Sequence, residues 1–325
     1  MKALILGISG QDGAYLTREL LSQGINVTGV TRQSSLSSLS RLKRLRVDSK
    51  VEIVSVDSYR SDTLKEVLVE SSPDVIYNLS GPSSVGFSFE RPHEAFMDIV
   101  GLTSDILEVL RTELPSARLY HASSSECFGN TPSEGASEDC PFSPQSPYGV
   151  AKASAHWLVK SYRDSYGLFA VNGILFNHES PLRTESFVTG KIVSTAARIK
   201  LGSAEKLRLG RTDMRRDWGW APDYVGAMIL MLESSRPDDY VIATGKTTSL
   251  HEFMEKTFSY FDLDWQDHTV CDENLYRPND IGYSRGKPLK AKEELGWEAK
   301  TTVDDVIAEM CADALARARK ETESS

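Results

Sequence analysis

Tyr148 and Lys152 stand four residues apart in the run Tyr-Gly-Val-Ala-Lys, at the start of a helical pattern. That spacing puts both side chains on one helix face. An ammonium beside a phenol favours the phenolate, so Lys152 is expected to draw Tyr148 from its ordinary pKa of about 10 toward neutrality and make it a base. Tyr and Lys four apart are common by chance, and the pair gains weight from its company. Ser123-Ser124-Ser125-Glu126 closes an apolar run, at the carboxyl edge of a predicted strand where open parallel sheets bind ligands. The Ser124 hydroxyl can hydrogen-bond a substrate O–H beside the tyrosine. The Glu126 carboxylate can move a second proton, which a simple alcohol dehydrogenase does not require. The competing reading is a serine-rich turn that only caps a helix.

Gly7-Ile8-Ser9-Gly10-Gln11-Asp12-Gly13 follows directly on the first apolar run. In this strand–turn–helix setting Gly7, Gly10 and Gly13 permit a tight turn, close approach of backbone to a pyrophosphate, and close helix packing. Gln11 and Asp12 lie inside the same loop and join the candidate dinucleotide site. After the second strand an acidic residue would bind the ribose hydroxyl of NAD, whereas arginine suits the 2′-phosphate of NADP. The sequence there is Thr31-Arg32-Gln33-Ser34-Ser35, so Arg32 points to NADP. Asp57, after the third strand, is a candidate acceptor for adenine, or a helix cap.

These groups need a scaffold. Predicted strands are Ala3–Leu6, Asn26–Thr31, Val51–Val56, Asp74–Leu79, Arg118–Ser123, Phe169–Phe176 and Asp239–Thr244. Predicted helices cover Tyr15–Ser22, Ser61–Glu70, Gly101–Arg111, Val150–Tyr166 and Val303–Arg319. Apolar strands alternating with amphipathic helices predict an α/β fold: a Rossmann-type, doubly wound parallel sheet with helices on both faces. Residues 1–176 would form the NADP-binding domain with the catalytic groups. Residues 177–325 would form mostly a smaller, mixed α/β substrate-binding domain, with later segments returning to the first. The Glu-Ser tail, 321–325, is expected to fray.

The formal net charge is −9, which disfavours general attraction to nucleic acid. No apolar run approaches the roughly 20 residues that span a bilayer. The first residues lack a signal-peptide pattern. Cys127, Cys140, Cys271 and Cys311 show no metal-ligand spacing, so reduced thiols in a cytoplasmic protein without a metal are expected.

Ser124 with Tyr148 and Lys152 resembles the Ser/Thr-Tyr-Lys triad of the short-chain dehydrogenase/reductase superfamily. Within it, the segments Gly7–Leu16, Ser123–Gly129, Ser146–Lys152, Phe169–Pro181, Arg216–Gly219 and Tyr276–Pro278 resemble the GDP-mannose 4,6-dehydratase family. Asn177-His178-Glu179-Ser180-Pro181 is the most specific of them. The resemblance implies a GDP-sugar 4,6-dehydratase with NADP as cofactor. Tyr148 would take the C4 hydroxyl proton, with Lys152 supporting it and holding the nicotinamide ribose. Ser124 would bind the same oxygen, Glu126 would remove the C5 proton, water would leave from C6, and the stored hydride would return there. Asn177, Lys191, Arg216 and Arg277 match nucleotide-binding positions, and arginine forks suit phosphate. Asp280 falls at the position for the nucleotide ribose, and Ser83 in a loop facing the nicotinamide and sugar. A homodimer or homotetramer is implied, the dimer packing helices around Gly101–Arg111 and Val150–Tyr166.

The chain departs from that family at several points. Ser124 stands for threonine, Pro82 brings a ring and no N–H to the loop after strand four, Gly190 and Arg211 replace an arginine and an asparagine, and Gln33 replaces a second arginine. A GDP-manno-heptose 4,6-dehydratase is therefore the second reading. A nucleotide-sugar epimerase or reductase, which needs no Glu126, and a non-catalytic NADP-binding protein are more distant.

Overall fold

Val, Ile and Leu runs form strands because branched side chains pack well on a pleated surface. The computed structural model describes residues 1–32, 39–57, 59 and 62–323. In chain order the first half holds β1 (Lys2–Leu6), α1 (Gln11–Ser22), β2 (Asn26–Arg32), α2 (Ser40–Arg44), β3 (Glu52–Val56), α3 (Asp62–Ser71) and β4 (Val75–Asn78). There follow α4 (Val85–Glu90), α5 (Pro92–Phe96), α6 (Leu102–Thr112), β5 (Arg118–Ser124), α7 (Pro147–Tyr166) and β6 (Ala170–Leu175). The second half begins with β7 (Asn177–Glu179), α8 (Val188–Lys200), β8 (Leu207–Leu209), β9 (Arg215–Arg216), β10 (Trp218–Trp220), α9 (Ala221–Glu233) and β11 (Asp239–Ile242). It ends with β12 (Thr248–Ser249), α10 (Leu250–Tyr260), α11 (Trp265–His268), β13 (Thr269–Cys271), α12 (Leu289–Leu295) and α13 (Val303–Glu323).

Seven strands form one parallel sheet in the order β11-β6-β5-β4-β1-β2-β3. The chain runs outward from β1 to β3, then crosses back to β4. The β1/β4 boundary is thus the switch point where such sheets open a crevice at their carboxyl ends. One face is covered by α1 and α9, in a core with Tyr77, Tyr120, Tyr224 and Trp297. The other is covered by α3, α6 and α7 over Leu4, Leu6, Ile76 and Leu119. A separate core joins α8, α10 and α13 with Leu207, Leu209 and Trp218. No described helix is long and apolar enough to cross a membrane.

All seven predicted sheet strands are present, with ends shifted by one or two residues. The helix predicted from Tyr15 starts at Gln11, because the glycine loop itself delivers its first turn. The helix predicted from Gly101 is the last part of a longer rod, α5 running through a π turn at Met97–Gly101 into α6. Gln33, Ser34, Ser35 and Ser61, together with the last two residues of the tail, lie outside the described residues.

Candidate active site

Ser146 accepts a hydrogen bond from the Gly149 amide at 3.0 Å, and Pro147 occupies the first helical position. This cap starts α7 one residue before Tyr148 and puts Tyr148 and Lys152 in its first two turns. Both are buried, Tyr148 8% exposed and Lys152 6%. The Tyr148 amide donates to Ser88 Oγ at 3.1 Å, and Lys152 Nζ donates to the Ala122 carbonyl at 2.8 Å. Ser124 ends β5, and its Oγ accepts from the Glu126 amide at 3.2 Å, capping the short 3₁₀ turn Ser125–Cys127. The capping and chemical readings of the serine cluster therefore coexist. Ser124, Glu126, Tyr148 and Lys152 all line one cleft at the carboxyl end of the sheet.

The electrostatics differ from the sequence expectation for Tyr148. Burial pushes its phenol well above the ordinary value, and a hydrogen bond with Ser124 opposes this only in part. Lys152 Nζ is 5.8 Å from the ring centroid, and the desolvation of a phenolate outweighs what the site returns to it. Burial also pushes the Lys152 ammonium down to about 8. Burial raises the Glu126 carboxyl, while the charges of Arg216 and Arg277 pull the other way. A carboxyl with its pKa moved upward is, once ionised, a stronger base than an exposed glutamate.

The glycine loop fits a dinucleotide diphosphate. Gly7 has φ +87°, and a Cβ there would meet the Leu79 carbonyl oxygen at 2.9 Å. A Cβ on Gly13 would come 2.5 Å from the Gly7 carbonyl oxygen, so α1 can approach this closely only with glycine. No side chain caps α1 at Gly10, which leaves its first amides and helix dipole to the cleft. Gly7, Gly10, Gln11, Asp12, Gly13 and Arg32 all line that cleft. Asp57 is exposed at the end of β3 and does not.

Ser83, Asn177, Arg216 and Arg277 line the other end of the same cleft. Arg216 is 6% exposed and pairs with Asp280 at 3.1 Å; Arg277 approaches the same carboxylate oxygen at 3.5 Å. Asp280 thus holds the two guanidiniums and does not itself line the cleft. Lys191 lies outside it too, its Nζ donating to the Arg208 carbonyl at 2.6 Å. Of the departures from the family pattern, Pro82 lines the cleft. Gly190 instead lets α8 pack on the Thr184 carbonyl, which a Cβ would meet at 2.3 Å. Arg211 turns to Asp213 at 2.6 Å.

Two features escaped the sequence reading. Asp12 pairs with His178 at 2.9 Å, across 166 residues. Asp217, fully buried, accepts from the amides of Thr244, Gly245 and Gly286 and from the Thr244 hydroxyl. Both residues stand inside segments singled out by motif, but neither motif names a distant partner.

The GDP-mannose 4,6 dehydratase family profile matches residues 4–310. GDP-mannose 4,6 dehydratase 1 of Arabidopsis thaliana is 42% identical, over 98% of this chain and 91% of its own length. The GDP-mannose 4,6 dehydratase of Homo sapiens is 40% identical over 95% and 90%. That of Sinorhizobium fredii (strain HH103) is 40% identical over 98% and 97%. Among solved structures, UDP-glucose 4-epimerase of Thermotoga maritima superposes with a TM-score of 0.85 at 21% identity, over 98% of this chain and 100% of that one. The dTDP-glucose 4,6-dehydratase of Bacillus anthracis, in complex with NAD, gives 0.83 at 21%, over 100% and 98%. At that identity the two superpositions speak to the fold alone.

Proposed function

The chain belongs to the GDP-mannose 4,6-dehydratase family, and on that premise we propose a GDP-sugar 4,6-dehydratase whose sugar is mannose and whose nicotinamide dinucleotide is NADP. The observation that supports dehydration over a simple alcohol oxidation is Glu126. It shares one cleft with Ser124, Tyr148 and Lys152, under the charges of Arg216 and Arg277. The support for NADP is Arg32 at the cleft wall, with no carboxylate in Thr31–Ser35.

Tyr148 takes the proton of the sugar C4 hydroxyl, and Ser124 holds that oxygen in line with it. A bound nicotinamide dinucleotide supplies the hydride acceptor at C4, a positive ring charge that favours the Tyr148 phenolate, and the hydride that later reduces C6. Lys152 fixes the ribose end of the site and adds its own charge. With a ketone at C4 the C5 hydrogen becomes acidic, and Glu126 removes it. The same carboxyl carries that proton to the departing C6 hydroxyl, which leaves as water. Once C6 is reduced, C5 regains a proton, supplied by the one that Tyr148 took from the C4 hydroxyl, and both groups are reset. Arg216 and Arg277 bind the sugar nucleotide's diphosphate, and Asp280 sets the spread of their two forks. Asn177 contacts the nucleotide from the start of β7. Family membership carries the further proposal that copies pair as a homodimer or homotetramer.

A GDP-linked heptose is the second reading, favoured by Pro82 in the cleft wall. The test is mass spectrometry of purified protein incubated with GDP-mannose and with GDP-manno-heptose, without added NADPH. Loss of one water from GDP-mannose is the expected result. Loss from the heptose alone replaces the sugar, an isomer of unchanged mass indicates an epimerase, and no change with either sinks the enzyme reading.

A further inference from the structure

The strand that carries Asn177 is fastened to the glycine loop through one imidazole. His178 Nε2 lies 2.9 Å from Asp12 Oδ2, and His178 Nδ1 lies 2.8 Å from the Phe176 carbonyl oxygen. Both ring nitrogens therefore face groups that only accept. A neutral imidazole carries one N–H and one lone pair, so either tautomer would set a lone pair against an oxygen. The geometry calls for the doubly protonated ring. Asp12 is no competing donor: burial alone would raise its carboxyl, but the His178 charge and hydrogen bond, with Arg183, hold it at about 2. The Gln11 amide group reinforces the seam, donating to Asp12 Oδ1 at 3.1 Å and to the His178 carbonyl at 3.2 Å, while Ser180 Oγ donates to Gln11 Oε1 at 2.7 Å.

Other groups face this ring. Arg183 donates to the His178 carbonyl and its charge opposes protonation, while burial opposes it more; the Asp12 carboxylate outweighs both, and the His178 pKa is raised. The Tyr224 ring from α9 stacks on the imidazole at 4.6 Å, and its phenol is kept neutral by burial. Glu179, next along the strand, faces away to Arg183 and Thr189 at 2.7 and 2.8 Å.

We propose that His178, as an imidazolium, is a positioning residue that locks the substrate strand onto the dinucleotide loop and cancels the Asp12 charge there. The proposal rests on the reading that this loop holds a dinucleotide. An acidic side chain in the first turn of α1 suits the helix dipole, yet unpaired it would repel a diphosphate. Paired with His178 it is electrically silent toward the ligand. Loss of the His178 proton restores that repulsion and loosens β7 together.

The test uses the whole chain without sugar nucleotide. Histidine-¹⁵N NMR of the protein at pH 7 is expected to show His178 with both nitrogens protonated, a signal identified by its absence in H178Q. NADPH binding, followed by its fluorescence, is expected to weaken as pH rises above neutrality, in the direction of the raised His178 pKa. H178Q keeps a donor toward Asp12 without the charge. It should bind NADPH about 10-fold more weakly at pH 7, within the usual range of coupling between sites. It should also lose the His178 part of the alkaline limb, leaving the part that the Lys152 ammonium, pushed down to about 8, contributes. D12N should lose the same part. A neutral His178 at pH 7, or an alkaline limb unchanged in both variants, overturns the proposal while leaving the cofactor reading standing. Failure of the wild-type protein to bind NADPH at any pH overturns both.

Discussion

Glu126 differs from its neighbours in the cleft by having chemistry that only dehydration uses. Burial holds its carboxyl above the ordinary range of about 4.3, and the base is the deprotonated form. The acid limb of turnover should therefore fall above the pH where an exposed glutamate would put it, with rate rising as the proton leaves. Glu126→Gln keeps the shape and removes the base, so turnover should fall about 10³-fold, the usual reach of one acid–base group. On the proposed roles the C4 oxidation needs only Tyr148, Lys152 and Ser124, so absorbance at 340 nm should show reduced cofactor forming and persisting in the variant. Full turnover there would remove Glu126 from the C5 step. The pairs Ser124/Glu126 and Tyr148/Lys152 were each legible as candidates because their members are sequence neighbours or one helical turn apart, and the fold brings both pairs to one cleft. Asp280 as a clamp on Arg216 was not, since its partner lies 64 residues away and only tertiary structure joins them.

The elements divide in the same way. The inner strands of the large sheet carry apolar runs that are largely buried on both faces, with β3 at the edge more exposed, and such a run needs no partner to be seen. Pairs such as β9 with β12, two residues each, have no period at all. What holds β9 and β10 is Asp217 between them. Its Oδ1 accepts from the Thr244 amide at 2.9 Å and hydroxyl at 2.7 Å; its Oδ2 accepts from the Gly245 amide at 2.9 Å and the Gly286 amide at 3.2 Å. One carboxylate thus pins two loops behind Arg216. Asp217→Asn must point an NH₂ group at two donors. Losing two charge-assisted bonds in a buried site should cost about 3 kcal/mol, read from urea unfolding. GDP affinity should fall with it, because Arg216 loses its backing; Asp217→Asn with unchanged urea midpoint and GDP affinity would leave the strand pair held by something else.

At the scale of the molecule, the seam between α7 and the edge of the sheet is a second buried charge cluster. Arg163 pairs with Asp239 through two hydrogen bonds at 2.8 and 3.1 Å. Asn172 donates to the same carboxylate at 2.9 Å, and His156 Nε2 lies 3.4 Å from it. Asp239 was legible as the start of a strand, but not as the anchor that draws β11 beside β6, because Arg163 sits 76 residues earlier. Burial alone would raise the Asp239 carboxyl; hydrogen bonds from His156 and Arg163 outweigh it, and the pKa is depressed. Asp12 is held at about 2 by His178 on the far side of the sheet. A depressed carboxyl contributes stability above its unfolded value, about 3.9 for aspartate, and loses it as pH falls through the folded value. A raised histidine contributes below its unfolded value, about 6.5, and loses it as pH climbs through the folded one. Urea midpoints should therefore be flat from about pH 5 to about pH 6. They should fall in acid below about pH 4, where Asp12 and Asp239 begin to bind protons that the native state resists. They should also fall as pH climbs past about 6.5, where His178 begins to give up the proton that the Asp12 charge holds on it. Asp239→Asn leaves the buried Arg163 charge only the exposed Asp164, 3.7 Å from its Nε, as counter-ion and should cost about 3 kcal/mol at pH 7. It should also flatten the acid slope while leaving the alkaline one, since His178 is untouched. A variant that kept the full acid slope would show that the carboxylates controlling acid unfolding lie elsewhere than at this seam.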